Sequence, residues 1–161
     1  MSLRRPTRRR AFTLIEAVVV ILALGISLPT TLIWLAEANN RRADGVNQTR
    51  ASALASLVME HVLADVASRA AGRGFDALAV PATYLNDATD GLTARLAAIT
   101  APYTTMGVTY TVSIGGLVSR SGVATGSPLQ DLFRNVTVTV TFTGADGTPR
   151  TAVVQSLVTS L

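Results

Sequence analysis

From Phe12 to Ala36 the chain runs 25 residues with a single charged side chain, Glu16. As a helix rising about 1.5 Å per residue, this run extends roughly 37 Å, longer than the about 30 Å hydrocarbon core of a bilayer. It predicts a membrane-spanning helix. The competing account, a helix buried in a soluble core, asks a chain of 161 residues to surround a uniformly apolar cylinder on every side. Five arginines (Arg4, Arg5, Arg8, Arg9, Arg10) precede the run, and only Arg41 and Arg42 closely follow it. The positive-inside bias then sets the N-terminus in the cytoplasm and the rest of the chain outside it.

The formal net charge of +4 belongs to those first arginines. From Phe12 onward there are nine arginines, no lysine and ten acids, so nothing beyond the leader argues for nucleic-acid binding. The chain has no cysteine, which excludes thiol catalysis, disulfides and cysteine-ligated metal. One histidine, His61, and no lysine leave few groups suited to proton transfer near neutral pH. A non-enzymatic protein without a cofactor is expected.

Two residues inside the apolar run call for explanation. Pro29 removes one backbone donor and crowds the carbonyl of Gly25, where the missing side chain eases a bend, so a kink is expected over residues 25 to 29. The freed carbonyl needs a partner in lipid, for which the hydroxyls of Thr30 and Thr31 are candidates. Glu16 costs about 2.5 to 3.5 kcal/mol if held at bilayer depth, less if its side chain reaches the interface. Cutting the chain between Ala11 and Phe12 creates an α-ammonium four residues before Glu16. An ammonium and a carboxylate attract strongly where the dielectric is low. The amine of one helix neutralising the glutamate of a neighbour sets axial register, which makes Glu16 an assembly determinant.

The residues "RRRAFTLIEAVVVILAL" resemble the N-terminal signature of type IV prepilins and type II secretion pseudopilins. The parts stand in order: basic leader, small residue, Phe, Thr-Leu-Ile-Glu, apolar helix. Close likeness covers about residues 8 to 36. The family usually has Gly where this chain has Ala11, and its helix-bending proline commonly falls later than Pro29. The resemblance implies cleavage after Ala11, N-methylation of Phe12 by a prepilin peptidase, and Glu16 as the register-setting acid. It also implies a bacterial inner-membrane location and, as partners, other pilin or pseudopilin subunits and an inner-membrane assembly platform. Lack of a C-terminal disulfide loop favours a pseudopilin over a type IV pilin.

Two other readings compete. Arg9-Arg10-Ala11-Phe12 fits a twin-arginine export signal, and Ala36-Glu37-Ala38 is a passable signal-peptidase site that would release a soluble binding domain beginning at Asn39. Signal-peptide apolar regions are typically about 7 to 15 residues, shorter than this one. A plain N-anchored membrane protein is the third reading.

Beyond the apolar run, Leu54, Leu57, Val58, Val62 and Val66 recur at spacings of three and four in an alanine-rich segment, predicting that the helix continues to Ala71. Asn39-Asn40 and Gly45 are its weak points, and Gly72 and Gly74 signal its end. His61 and Asp65 stand at i, i+4 and are expected to pair on the surface. Residues 75 to 106 read as an irregular connection, with "PATYLNDATDG" a loop and "LTARLAAI" a short helix. Asp87 and Asp90 only superficially resemble a calcium loop: Ala88 breaks the pattern and no bidentate glutamate follows.

Strict alternation then marks strands. Val108, Tyr110, Val112 and Ile114 share one face of "GVTYTVSIG", and Val136, Val138, Val140 and Phe142 share one face of "NVTVTVTFTG", each opposed by threonines or serine. Asp146-Gly147 predicts a hairpin into "RTAVVQSLVTSL". That strand is less cleanly two-faced, with Val153, Leu157 and Leu161 against Ala152, Val154 and Val158. The expected fold is α+β and pilin-like: leader 1–11, transmembrane or filament-core helix 12–36, amphipathic continuation 37–74, and an extracytoplasmic antiparallel sheet domain 75–161 packed on the helix's outer half.

Overall fold

The computed structural model describes residues 13–160, and its first element is the helix α1, Leu14–Val66. Neither Pro29, Asn39-Asn40 nor Gly45 interrupts the helix. At the last of these, the Thr49 hydroxyl donates to the Gly45 carbonyl at 2.9 Å. The helix stops five residues short of the expected Ala71. The Asp65 carbonyl accepts the N–H groups of Ser68 at 3.0 Å and Gly74 at 2.9 Å, so the chain folds back on the helix end. Gly74 makes that return at φ 89, a left-handed conformation open to glycine at little cost.

Contacts divide the chain into two units, Met1–Arg41 and Arg42–Leu161. In the second, the expected irregular connection is largely helical. A 3-10 turn at Phe75–Ala79 leads into α2, Pro81–Asn86, and then α3, Leu92–Thr105. Pro81 occupies the first turn of α2, where its missing N–H costs no helical bond. What makes a helix of a loop-like sequence is burial of Tyr84, 4% exposed, which a local reading of "PATYLN" does not contain. In α3 the stripe Leu92, Leu96, Thr100 is buried. The helix closes on a Schellman arrangement, Val108 N–H to Tyr103 O at 3.0 Å and Gly107 N–H to Thr104 O at 3.0 Å, with Gly107 at φ 74.

Three antiparallel strands follow: β1, Thr109–Val118; β2, Phe133–Thr143; and β3, Pro149–Thr159, in the order β1-β2-β3. The alternating patterns set the register, with Val112 opposite Val138 and Val138 opposite Val154. One register shift occurs between Ile114 and Leu117, at Gly115-Gly116, where a bulge is easiest to form. In β3 the inward set is Ala152 and Val158, both buried, while Val153 and Leu157 are exposed. Leu161, grouped with these in the sequence reading, lies outside the described residues.

The core joins helix to sheet. Ala51, Leu54, Ala55, Val58 and Val62 of α1 cluster with Val136, Val138, Val140 and Phe142 of β2, together with Leu78, Tyr84, Leu92, Leu96 and Val108. The apolar stripe of α1 thus finds its partner in the valine face of the central strand, giving an α+β layout. At the hairpin between β2 and β3, Arg150 bridges Asp44 of α1 at 2.9 Å and Asp146 at 3.2 Å. The Thr148 hydroxyl and N–H, with a lesser contribution from Arg150, hold the Asp146 carboxyl down at about 2.

Candidate assembly helix

The N-terminal half of α1 has a local reason for its polar start. Thr13 precedes the helix, and its Oγ1 accepts the Glu16 N–H at 3.3 Å, while the Ala17 N–H reaches the Thr13 carbonyl at 3.1 Å. Thr13-Leu14-Ile15-Glu16 therefore has the spacing of a capping box, with one of its two reciprocal bonds formed. A carboxylate in the first turn also faces the positive end of the helix dipole. Glu16 is exposed, so its carboxylate is open to a partner from another chain. The S/T-x-x-E spacing was readable in the sequence and supplies a second reason for an acid at this position.

From Leu14 to Leu35 the large apolar side chains stand in the open: Ile15 73%, Ile21 69%, Ile26 67% and Ile33 65% exposed. None of the most apolar 18-residue window is buried within the chain. This is one helix long and apolar enough to cross a membrane. Its apolar surface needs lipid or other helices, since in water it would cost roughly 1.5 to 3 kcal/mol per large side chain left exposed.

Around the proline the threonines take carbonyls other than the one expected. Thr30 Oγ1 donates to Ile26 O at 3.0 Å and Thr31 Oγ1 to Ser27 O at 2.8 Å, each four residues back. The Gly25 carbonyl lies five and six residues before them, out of register for this i−4 bond. A side chain added at Gly25 would meet nothing within 4 Å. Ala11 and Phe12, the expected processing and methylation positions, lie outside the described residues.

The charged cluster of the unit Arg42–Leu161 is built around a residue that sequence reasoning misplaced. Asp65, expected on the surface beside His61, is 4% exposed and turned toward α2 and α3. Arg95 grips it with two hydrogen bonds, Nη1 to Oδ1 at 2.8 Å and Nη2 to Oδ2 at 2.5 Å. The Tyr84 hydroxyl donates to Oδ2 at 2.7 Å, and Arg73 approaches to 3.7 Å. Burial pushes the Asp65 carboxyl up, but the hydrogen bonds from Arg95 and Tyr84 and the two arginine charges outweigh it and hold the group below its usual range. Burial, then the hydrogen bond and charge of Asp65, push the Tyr84 hydroxyl up. Both Asp65 carboxylate oxygens accept hydrogen bonds, from Tyr84 of α2 and Arg95 of α3, which makes the cluster a clamp between three helices. The signal for it was an acid inside the apolar stripe, between Val62 and Val66.

At the suggested calcium loop, Asp87 Oδ1 accepts the N–H groups of Thr89 at 3.0 Å and Asp90 at 2.9 Å, closing a turn. These bonds hold its carboxyl below the usual range. Among the described residues no group of three or more His, Cys, Asp or Glu stands together as a metal site.

The chain matches no protein-family model, no curated protein and no solved structure.

Proposed function

We propose that this chain is a non-enzymatic structural subunit of a type IV pilus-like filament, in the manner of a type II secretion pseudopilin or a minor pilin. The observation that carries the reading is the unburied apolar half of α1 with Glu16 in its first turn, continuing into a stretch whose stripe from Ala51 to Val66 is buried in the core shared with the sheet. Such a subunit is stored in the inner membrane through the apolar half, cut after Ala11 and methylated at Phe12 by a prepilin peptidase. It is then moved by an assembly platform into a bundle of like helices. Helix contacts replace lipid contacts there, and the Phe12 amine of one subunit meets Glu16 of another, fixing the stagger.

The resemblance of "RRRAFTLIEAVVVILAL" supports this reading. So does the course of α1: Ala38 and Asn39, the cleavage point required for a released binding domain, lie within it. A peptidase would have to unwind the helix there. Mass spectrometry of the mature N-terminus is the test. Methylated Phe12 is expected; an N-terminus at Asn39, or an intact leader in cells that assemble filaments, would overturn the proposal.

A further inference from the structure

Trp34 is the single tryptophan of the chain, and it stands 73% exposed two residues before the apolar run gives way to charge. On the same side of the helix, one and two turns on, Glu37 and Arg41 form an ion pair. A shallow groove is lined by Trp34, Glu37, Ala38 and Arg41, and the small side chain of Ala38 leaves it open. An indole combines a wide apolar body with one N–H donor, so it is best placed where acyl chains meet headgroup oxygens. A paired carboxylate and guanidinium one to two turns further on belong in the polar layer just above.

We propose that Trp34, Glu37 and Arg41 form a contact with the phospholipid headgroup layer on the outer face of the membrane, and that this contact sets the depth of α1. The proposal rests on the membrane reading of α1 and does not require filament assembly. Its consequence is quantitative. A hydrocarbon core of about 30 Å takes up about 20 residues of helix, which counted back from Trp34 reaches Leu14. Glu16 then lies only about 3 Å inside the cytoplasmic boundary, a depth its side chain can span by reaching outward. One aromatic residue at the far end thereby positions the acid at the near end.

The single tryptophan makes the test direct. The full chain is reconstituted in phosphatidylethanolamine–phosphatidylglycerol vesicles with bromine carried either near the headgroup end of the acyl chain or near its terminal methyl. The expected result is emission shifted to shorter wavelength and lost mainly to the shallow bromine. In a Trp34→Leu/Ile26→Trp variant the indole lies about 12 Å deeper, and the deep bromine should quench it most. Replacing Glu37 and Arg41 together by leucine extends the apolar run and should carry Trp34 toward the deep label. Strongest quenching of native Trp34 by the deep label, or none by either in a chain that floats with the vesicles, overturns the contact while leaving the membrane reading intact. An unchanged pattern in the double-leucine variant removes Glu37 and Arg41 from it. A chain that does not float with the vesicles overturns the membrane reading and the depth assignment together.

Discussion

Replacing Asp65 by alanine removes a carboxylate that accepts two bonds from Arg95 and one from Tyr84. The guanidinium left behind has a side chain only 20% exposed, and the Tyr84 hydroxyl loses its acceptor. Breaking a buried pair by removing one partner costs about 3 to 5 kcal/mol. Water reaches the open fifth of Arg95, which argues for the lower end, about 3 kcal/mol. Against a domain stability on the order of 5 to 15 kcal/mol, that is a large loss, worth roughly 10 °C or more in melting temperature. The measurement is urea or thermal unfolding of the full chain in detergent, followed by near-ultraviolet circular dichroism. All three tyrosines, Tyr84, Tyr103 and Tyr110, lie in the unit Arg42–Leu161, so in a Trp34→Phe background the signal reports that unit. The double variant Asp65→Leu/Arg95→Met, which leaves no orphaned charge, should recover most of the loss. A cost below about 1 kcal/mol for Asp65→Ala, or a double variant no better than the single one, would refute the clamp.

The same carboxylate fixes a pH dependence. Its value in the folded chain lies below 3.8, so between the two values the unfolded chain binds more protons and stability rises with pH. The contribution is complete above the unfolded value and lost as pH falls through the folded one. Acid unfolding should therefore begin below about pH 4 and be shallower in Asp65→Asn.

Other outcomes follow from single residues. Under the proposed filament function, Glu16→Ala should leave cleavage after Ala11 in place while incorporation into filaments falls, as read by shearing and immunoblotting; undiminished assembly would sink the pairing of Glu16 with a neighbour's amine. Leu54→Ala, at a position 0% exposed between α1 and β2, should cost about 2 to 5 kcal/mol in the same unfolding assay. Asp131, whose carboxylate accepts the Thr125 N–H at 3.0 Å, the Thr125 hydroxyl at 2.9 Å and the Gly126 N–H at 2.8 Å, holds the loop between β1 and β2. Asp131→Ala should make that loop the first site of limited proteolysis while the sheet's amide-exchange protection persists.

Features whose cause is local could be read from the chain alone. The apolar run is one, because crossing a bilayer depends only on length and hydropathy. The strands are another: threonine and valine alternate in β2 so strictly that a shift of one residue would turn every valine outward. The amphipathic stripe from Leu54 to Val66 belongs with them, as does the acid of the first turn with its threonine cap. What escaped a linear reading depends on residues distant in sequence. Tyr84 makes a helix of a segment rich in turn signals because the core takes in its ring and Asp65 takes its hydroxyl. Asp65 leaves His61 for Arg95, 30 positions away, since two charge-assisted bonds in a partly dry site outweigh one exposed pair on a helix surface. The end of α1 moves to Val66 for the same reason, the chain turning where it can bring Arg73 and Gly74 back to that aspartate. Periodicity and hydropathy are properties of neighbours along the chain. Which buried charge finds which partner is decided only when the helices are brought together.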